Sequence, residues 1–144
     1  MEIITKDILT VKHGIIAHQA NCKGSMGAGL AKQIRDKYPK VFREYQKAFH
    51  VGGLTLGSIS TTQVKNNLWI INLMAQDHYK GTPPLTDYEA LEKCLRQAVV
   101  FAETVEQPLY LPYKLGCGLA GGDWDTVLAI IEKVARNAII CKLP

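Results

Sequence analysis

Along this chain, short runs of β-branched and aliphatic residues alternate with segments in which apolar positions recur every three or four residues. The first kind reads as strands: Glu2–Thr5, Gly14–Ala20, Ser58–Val64, Leu68–Met74, Leu109–Tyr113 and Ala138–Lys142. Several are apolar throughout rather than alternating, the pattern of strands covered on both faces. Asn66-Asn67 separates the third from the fourth and predicts a tight hairpin.

The second kind reads as four helices. Leu30, Ile34 and Tyr38 mark one that stops before Pro39. Val41, Phe42, Tyr45, Ala48 and Phe49 mark the next, closed by Gly52-Gly53. Tyr88, Leu91, Leu95, Ala98, Val99 and Ala102 mark a third, with Thr86 as its expected N-cap. Trp124, Val127, Leu128, Ile131, Val134 and Ala135 give the fourth a stripe that reads as core packing. Residues 77–84 are polar and carry neither period.

The resulting order is β-β-α-α-β-β-α-β-α-β, with no repeat, low-complexity tract or linker. It predicts an α/β fold, a three-layer α/β/α sandwich with a mixed, mostly parallel central sheet, as one domain over 1–144. In such folds ligands lie at the carboxyl ends of the central strands.

Two glycine-rich segments fall at that edge. Ala20-Asn21-Cys22-Lys23-Gly24-Ser25-Met26-Gly27-Ala28-Gly29-Leu30-Ala31 follows the second strand and leads into a helix. Leu115-Gly116-Cys117-Gly118-Leu119-Ala120-Gly121-Gly122-Asp123-Trp124 repeats the arrangement late in the chain. Glycines let the backbone approach a ligand closely, and the unpaired N–H groups that open a helix attract an anion. Two such loops predict one ligand with more than one phosphate. Neither is a dinucleotide fingerprint, since Lys32 stands where the third glycine belongs, and neither closes with Gly-Lys-Ser/Thr. A Gly-x-Ser-x-Gly nucleophile elbow is also absent.

Asn21 to Ala31 resembles the first ligand loop of macro domains, and Gly116 to Trp124 resembles their second. Thr5-Lys6-Asp7-Ile8-Leu9 resembles the family's segment whose aspartate contacts adenine, with Lys6 in place of a glycine. The likeness runs over nearly the whole chain in the right order. It implies an ADP-ribose site: Asp7 and Ile8 toward adenine, Gly24, Ser25, Met26, Gly27, Ala28 and Gly29 in the first loop, Leu115, Gly116, Cys117, Gly118, Leu119, Ala120 and Gly121 around the diphosphate, and Asn21 on the distal ribose. Gln76, together with Asp77, lies on the segment expected to pass near that ribose.

Within the family, the chain resembles the small single-domain branch of terminal ADP-ribose glycohydrolases, DNA ADP-ribose-removing antitoxins and ADP-ribose 1''-phosphate phosphatases. The glycohydrolases use a lysine and a second-loop aspartate. Here Ile71 to His78 holds no lysine before Lys80, and Ala120 stands at the aspartate position. The phosphatases carry a histidine entering the first loop, and His18 matches it. The candidate catalytic residues are His18, with Asn21 holding the distal ribose, and Asp123, which reads first as the N-cap of the fourth helix with steering of a loop amide or a water as its second role. An imidazole with a pKa near 6.5 can take a proton from water or give one to a leaving oxygen.

The leading reading is thus hydrolysis of ADP-ribose 1''-phosphate to ADP-ribose and phosphate. The alternatives are removal of ADP-ribose from modified protein or nucleic acid, a non-catalytic ADP-ribose reader, and a basic nucleic-acid-binding domain. The last draws on a net charge of +4 whose excess sits between Lys32 and Lys47; the plain reading of that stretch is the solvated face of two helices. Cys22, Cys94, Cys117 and Cys141 are scattered, so neither a disulfide framework nor a metal site is expected, and no cofactor is implied. Cys117, between glycines, reads as a small packing residue. No apolar run approaches a membrane span, and Met1 to Asp7 lacks a signal peptide's regions. The expectation is a cytoplasmic protein with no membrane partner.

Overall fold

The computed structural model describes residues 1–144 and contains six strands and four helices. In chain order these are β1 (Glu2–Thr5), β2 (Gly14–Asn21), α1 (Gly29–Lys37), α2 (Pro39–His50), β3 (Ile59–Lys65), β4 (Leu68–Gln76), α3 (Tyr88–Val105), β5 (Leu109–Pro112), α4 (Trp124–Val134) and β6 (Ile139–Lys142). A 3₁₀ turn, Ile8–Thr10, links β1 to β2. The strands form one sheet in the order β1-β6-β5-β2-β4-β3. Only β3 runs antiparallel, joined to β4 by the hairpin at Asn66-Asn67, where Asn67 takes a φ of 60°.

The unbroken apolar runs have the expected cause. On β2, Ile15 and Ala17 pack into a core with α3 and α4, while Ile16 and Ala20 pack into a second core with α1 and α2. Because side chains alternate across a strand, two apolar layers require an apolar residue at nearly every position. Ile71 and Leu73 on β4 join the first core, and Ile70 and Met74 join the second. The α/β/α sandwich with its mixed, mostly parallel sheet is therefore built as its sequence pattern predicts. No helix is long and apolar enough to cross a membrane.

One cap differs from expectation. Thr86 does not cap α3; Asp87 does, its carboxylate accepting from the Ala90 N–H at 2.9 Å. Both residue types make good caps, and Asp87 holds the position because the helix starts one residue later. Thr86 is thereby freed to bond elsewhere. Asp123 caps α4 as expected, accepting from the Thr126 N–H at 3.0 Å.

β2 pairs with β5 on one side and β4 on the other. The chain leaves β2 toward α1 and α2 on one face, and leaves β5 toward α4 on the other. The two glycine loops thus rise side by side from the carboxyl ends of adjacent strands, where the sheet opens a crevice.

Candidate ligand-binding and active site

A cavity of about 570 Å³ occupies that crevice. Its first wall is the β2–α1 loop, with Asn21, Ser25, Gly27, Ala28 and Gly29 lining it. Ala28 is the N-cap of α1 and offers no side-chain cap. The N–H groups of Gly29, Leu30 and Ala31 are the first-turn donors that no helix satisfies internally, and all three residues line the cavity. The second wall is the β5–α4 loop, with Leu115, Gly116, Gly118, Leu119 and Ala120. There the N–H groups of Gly118, Leu119 and Ala120 have no main-chain partner. Amides from two loops converge on one space that no carboxylate lines; Lys114 is its one charged lining residue. That electrostatics suits an anion.

Side chains hold both loops from below. Asn21 Oδ1 accepts from the N–H of Lys23 at 2.9 Å and that of Ser25 at 3.4 Å, and its Nδ2 donates to the Ser25 carbonyl at 2.8 Å. The buried Tyr45 hydroxyl of α2 lies 2.5 Å from the Asn21 carbonyl oxygen and 2.9 Å from Oδ1. Asn21 therefore shapes the loop, with one amide hydrogen left for a ligand. Under the second loop, Gln19 Nε2 donates to Gln76 Oε1 at 2.8 Å and to Thr86 Oγ1 at 2.9 Å. Thr86 Oγ1 in turn donates to the Gly116 carbonyl at 2.7 Å. Gly116 has a φ of 70°, and a Cβ there would sit 2.6 Å from Gln19 Oε1. Only glycine meets both conditions.

His18 lies at the cavity floor and is 1% exposed. Its register partner on β4 is Asn72, whose Oδ1 is 2.6 Å from His18 Nε2. With the amide oxygen facing it, Nε2 carries the proton. Nδ1 is then an acceptor, buried and without a partner in the chain. Burial pulls the His18 pKa down to about 4 against the opposing pulls of its bond to Asn72 and of the Gln19 backbone beside the ring. The ring is thus neutral at pH 7.

The remaining expected residues divide by place. Gln76 lines the cavity. Asp7 does not; its carboxylate accepts from the Leu9 N–H at 3.0 Å and caps the 3₁₀ turn. Ile8 and Met26 are buried in the α1–α2 core, and Gly24 is packed under the Phe49 ring. Gly121 closes the second loop through its bond to the Gly118 carbonyl. Cys117 Sγ lies 3.3 Å from the Leu115 carbonyl oxygen, and burial raises its pKa, so it is no thiolate nucleophile. Asp123 is turned to Thr126 and lies outside the cavity lining.

Sequence reasoning missed Gln19, Thr86, Tyr79, Tyr113 and Lys114. Tyr113 and Lys114 directly precede the second glycine loop, and that adjacency was the available signal. Tyr79 belongs to the 77–84 segment, which had no readable period. It lines the rim 45% exposed, its ring 4.9 Å from that of His78, with Lys80 Nζ 5.5 Å from its centroid.

The macro domain family model matches residues 17–131, and the chain belongs to that family. An ADP-ribose 1''-phosphate phosphatase of Lodderomyces elongisporus is 25% identical over 142 residues, covering 92% of this chain and 88% of its own. A DNA ADP-ribosyl glycohydrolase of Mycobacterium tuberculosis is 29% identical over 128 residues, covering 84% of this chain, which spans only 34% of that relative's length. The macrodomain of Mycobacterium tuberculosis DarG has the same fold, with a TM-score of 0.82 at 21% identity, over 99% of this chain and 97% of that one.

Proposed function

We propose that this macro domain binds ADP-ribose and hydrolyses ADP-ribose 1''-phosphate to ADP-ribose and inorganic phosphate. The observation that carries the reading is His18: a buried, neutral imidazole with a free Nδ1 lone pair, in a cavity that no carboxylate lines. The diphosphate lies between the amides of the α1 N-terminus and those of Gly118 to Ala120. The adenosine end points toward Asp7, and the distal ribose toward Asn21 and Gln76.

A phosphate on that ribose comes near His18. Its negative charge raises the imidazole pKa from about 4, which makes Nδ1 a better base when substrate is bound. Nδ1 is closed to solvent in the free protein; uncovered as substrate binds, it accepts a proton from the attacking water as the water oxygen bonds to phosphorus and the bond from phosphorus to the ribose oxygen breaks. The leaving oxygen takes its proton from solvent. Tautomer control by Asn72 keeps that lone pair free throughout.

A second reading is removal of ADP-ribose from a modified protein or nucleic acid, and one observation favours it. His78, Tyr79 and Lys80 form an exposed aromatic and cationic rim where a bulky group on the distal ribose would emerge. The deciding experiment offers the purified protein ADP-ribose 1''-phosphate, ADP-ribosylated DNA and mono-ADP-ribosylated protein in parallel. Turnover of the first alone supports the phosphatase. Turnover of either macromolecule, with the phosphate ester left intact, replaces it with the second reading. Tight ADP-ribose binding without any turnover leaves a reader.

A further inference from the structure

Beside the cavity, the carboxyl ends of β1, β6 and β5 bring three lysines to one edge of the sheet. The Lys6 N–H donates to the Lys142 carbonyl at 2.8 Å, and the Tyr113 N–H donates to the Cys141 carbonyl at 2.9 Å. This pairing places Lys6, Lys142 and the Tyr113-Lys114 turn on neighbouring strand ends. Two of the ammonium groups share one ring: Lys142 Nζ is 4.7 Å and Lys114 Nζ 5.9 Å from the Tyr113 centroid. None of the three lysines takes part in any of the chain's ion pairs, and none of their Nζ atoms makes a hydrogen bond. Asp7 is the neighbouring carboxylate, and it is turned into its own turn toward the Leu9 N–H.

The backbone adds a second observation. Lys114 has a φ of 60°, in the left-handed region where glycine sits without strain. A lysine is held there at a cost, at the rim of the cavity. Two ammonium groups gathered on one ring, with the Asp7 carboxylate turned away into its own turn, suit an anion carrying more than a single charge. Phosphate monoesters carry nearly two negative charges near pH 7.

We propose that Lys114 and Lys142, with Lys6 beside them, form a subsite for a phosphate monoester on the adenosine ribose of the ligand. The proposal rests on the ADP-ribose reading of the cavity and deepens it. The preferred substrates are then ADP-ribose derivatives phosphorylated at the nucleoside end, whatever group the distal ribose carries.

Calorimetric titration of the protein with ADP-ribose and with ADP-ribose 2'-phosphate, at low and moderate salt, tests this. The 2'-phosphate is expected to tighten binding about fivefold at low salt, from two or three exposed charge contacts, and less as salt rises. Lys142→Ala is expected to keep the affinity for ADP-ribose and lose most of the gain. Lys114→Gly is expected to melt no lower than the parent and to lose the gain as well, which separates the lysine's role from folding. Equal or weaker binding of the 2'-phosphate, or a gain that survives both substitutions, overturns the subsite while leaving the ADP-ribose reading intact. Failure of both ligands to bind brings down that reading and the subsite with it.

Discussion

His18 on β2 and Asn72 on β4 face each other across the sheet at 2.6 Å, both 1% exposed, and the amide oxygen decides which imidazole nitrogen is free. Asn72 therefore acts on chemistry through His18. Asn72→Ala leaves a buried Nε2–H without a partner, at about 1–3 kcal/mol, and releases the tautomer. Turnover is expected to fall about a hundredfold, within the range for losing a positioned base. The KM should stay near the parent value. A rise in KM with kcat preserved would place Asn72 in ligand binding instead.

Burial of His18 also ties folding to pH. The unfolded chain takes up a proton on this residue below about pH 6.5, and the folded chain refuses it until about pH 4. Stability is therefore lost as pH falls through that window and levels off below it, by about 3 kcal/mol in all. Thermal melts should show a drop of about 10 °C from this residue between pH 7 and pH 4. His18→Gln should be visibly flatter over the same range; a parallel curve would mean that other groups govern the acid response.

Gly116 is where the second loop meets Gln19. Gly116→Ala forces a side chain onto a φ of 70° and into the Gln19 amide oxygen. The expected cost is about 1–3 kcal/mol of stability. ADP-ribose affinity should fall more than tenfold as the loop shifts, read by calorimetry on protein shown to be folded by circular dichroism. Unchanged affinity would show that this loop does not hold the diphosphate.

Asp123 separates two roles that its sequence position left joined. As the α4 cap its loss in Asp123→Ala should lower the melting temperature. Because the carboxylate is turned to Thr126 and lies off the cavity, turnover should be unchanged within twofold. A large loss of kcat with normal stability would return it to the chemistry.

The order of elements was legible because the central strands β2 and β4 bury two faces and each helix one stripe, so the two periods alternate. Both ligand loops were legible because glycines cluster where the backbone must turn and approach a ligand. The framework beneath them was not. Gln19 reaches Gln76 and Thr86, and His18 reaches Asn72, across 54 to 67 residues, and no local pattern announces such pairings. Thr86 and Asp87 are adjacent residues that can both cap a helix, and the start of α3 at Tyr88 assigns the cap to Asp87. Asp7 is expected at the ligand because its segment resembles the family's; that its carboxylate accepts from the Leu9 N–H was not legible in the sequence.

The most direct measurement of the central claim is phosphate release from ADP-ribose 1''-phosphate by the purified protein, run beside His18→Ala. The account predicts steady release by the parent and at least a hundredfold less by the variant, with ADP-ribose binding retained by both. Equal release by the two proteins, or none by a parent that binds ADP-ribose, would contradict it.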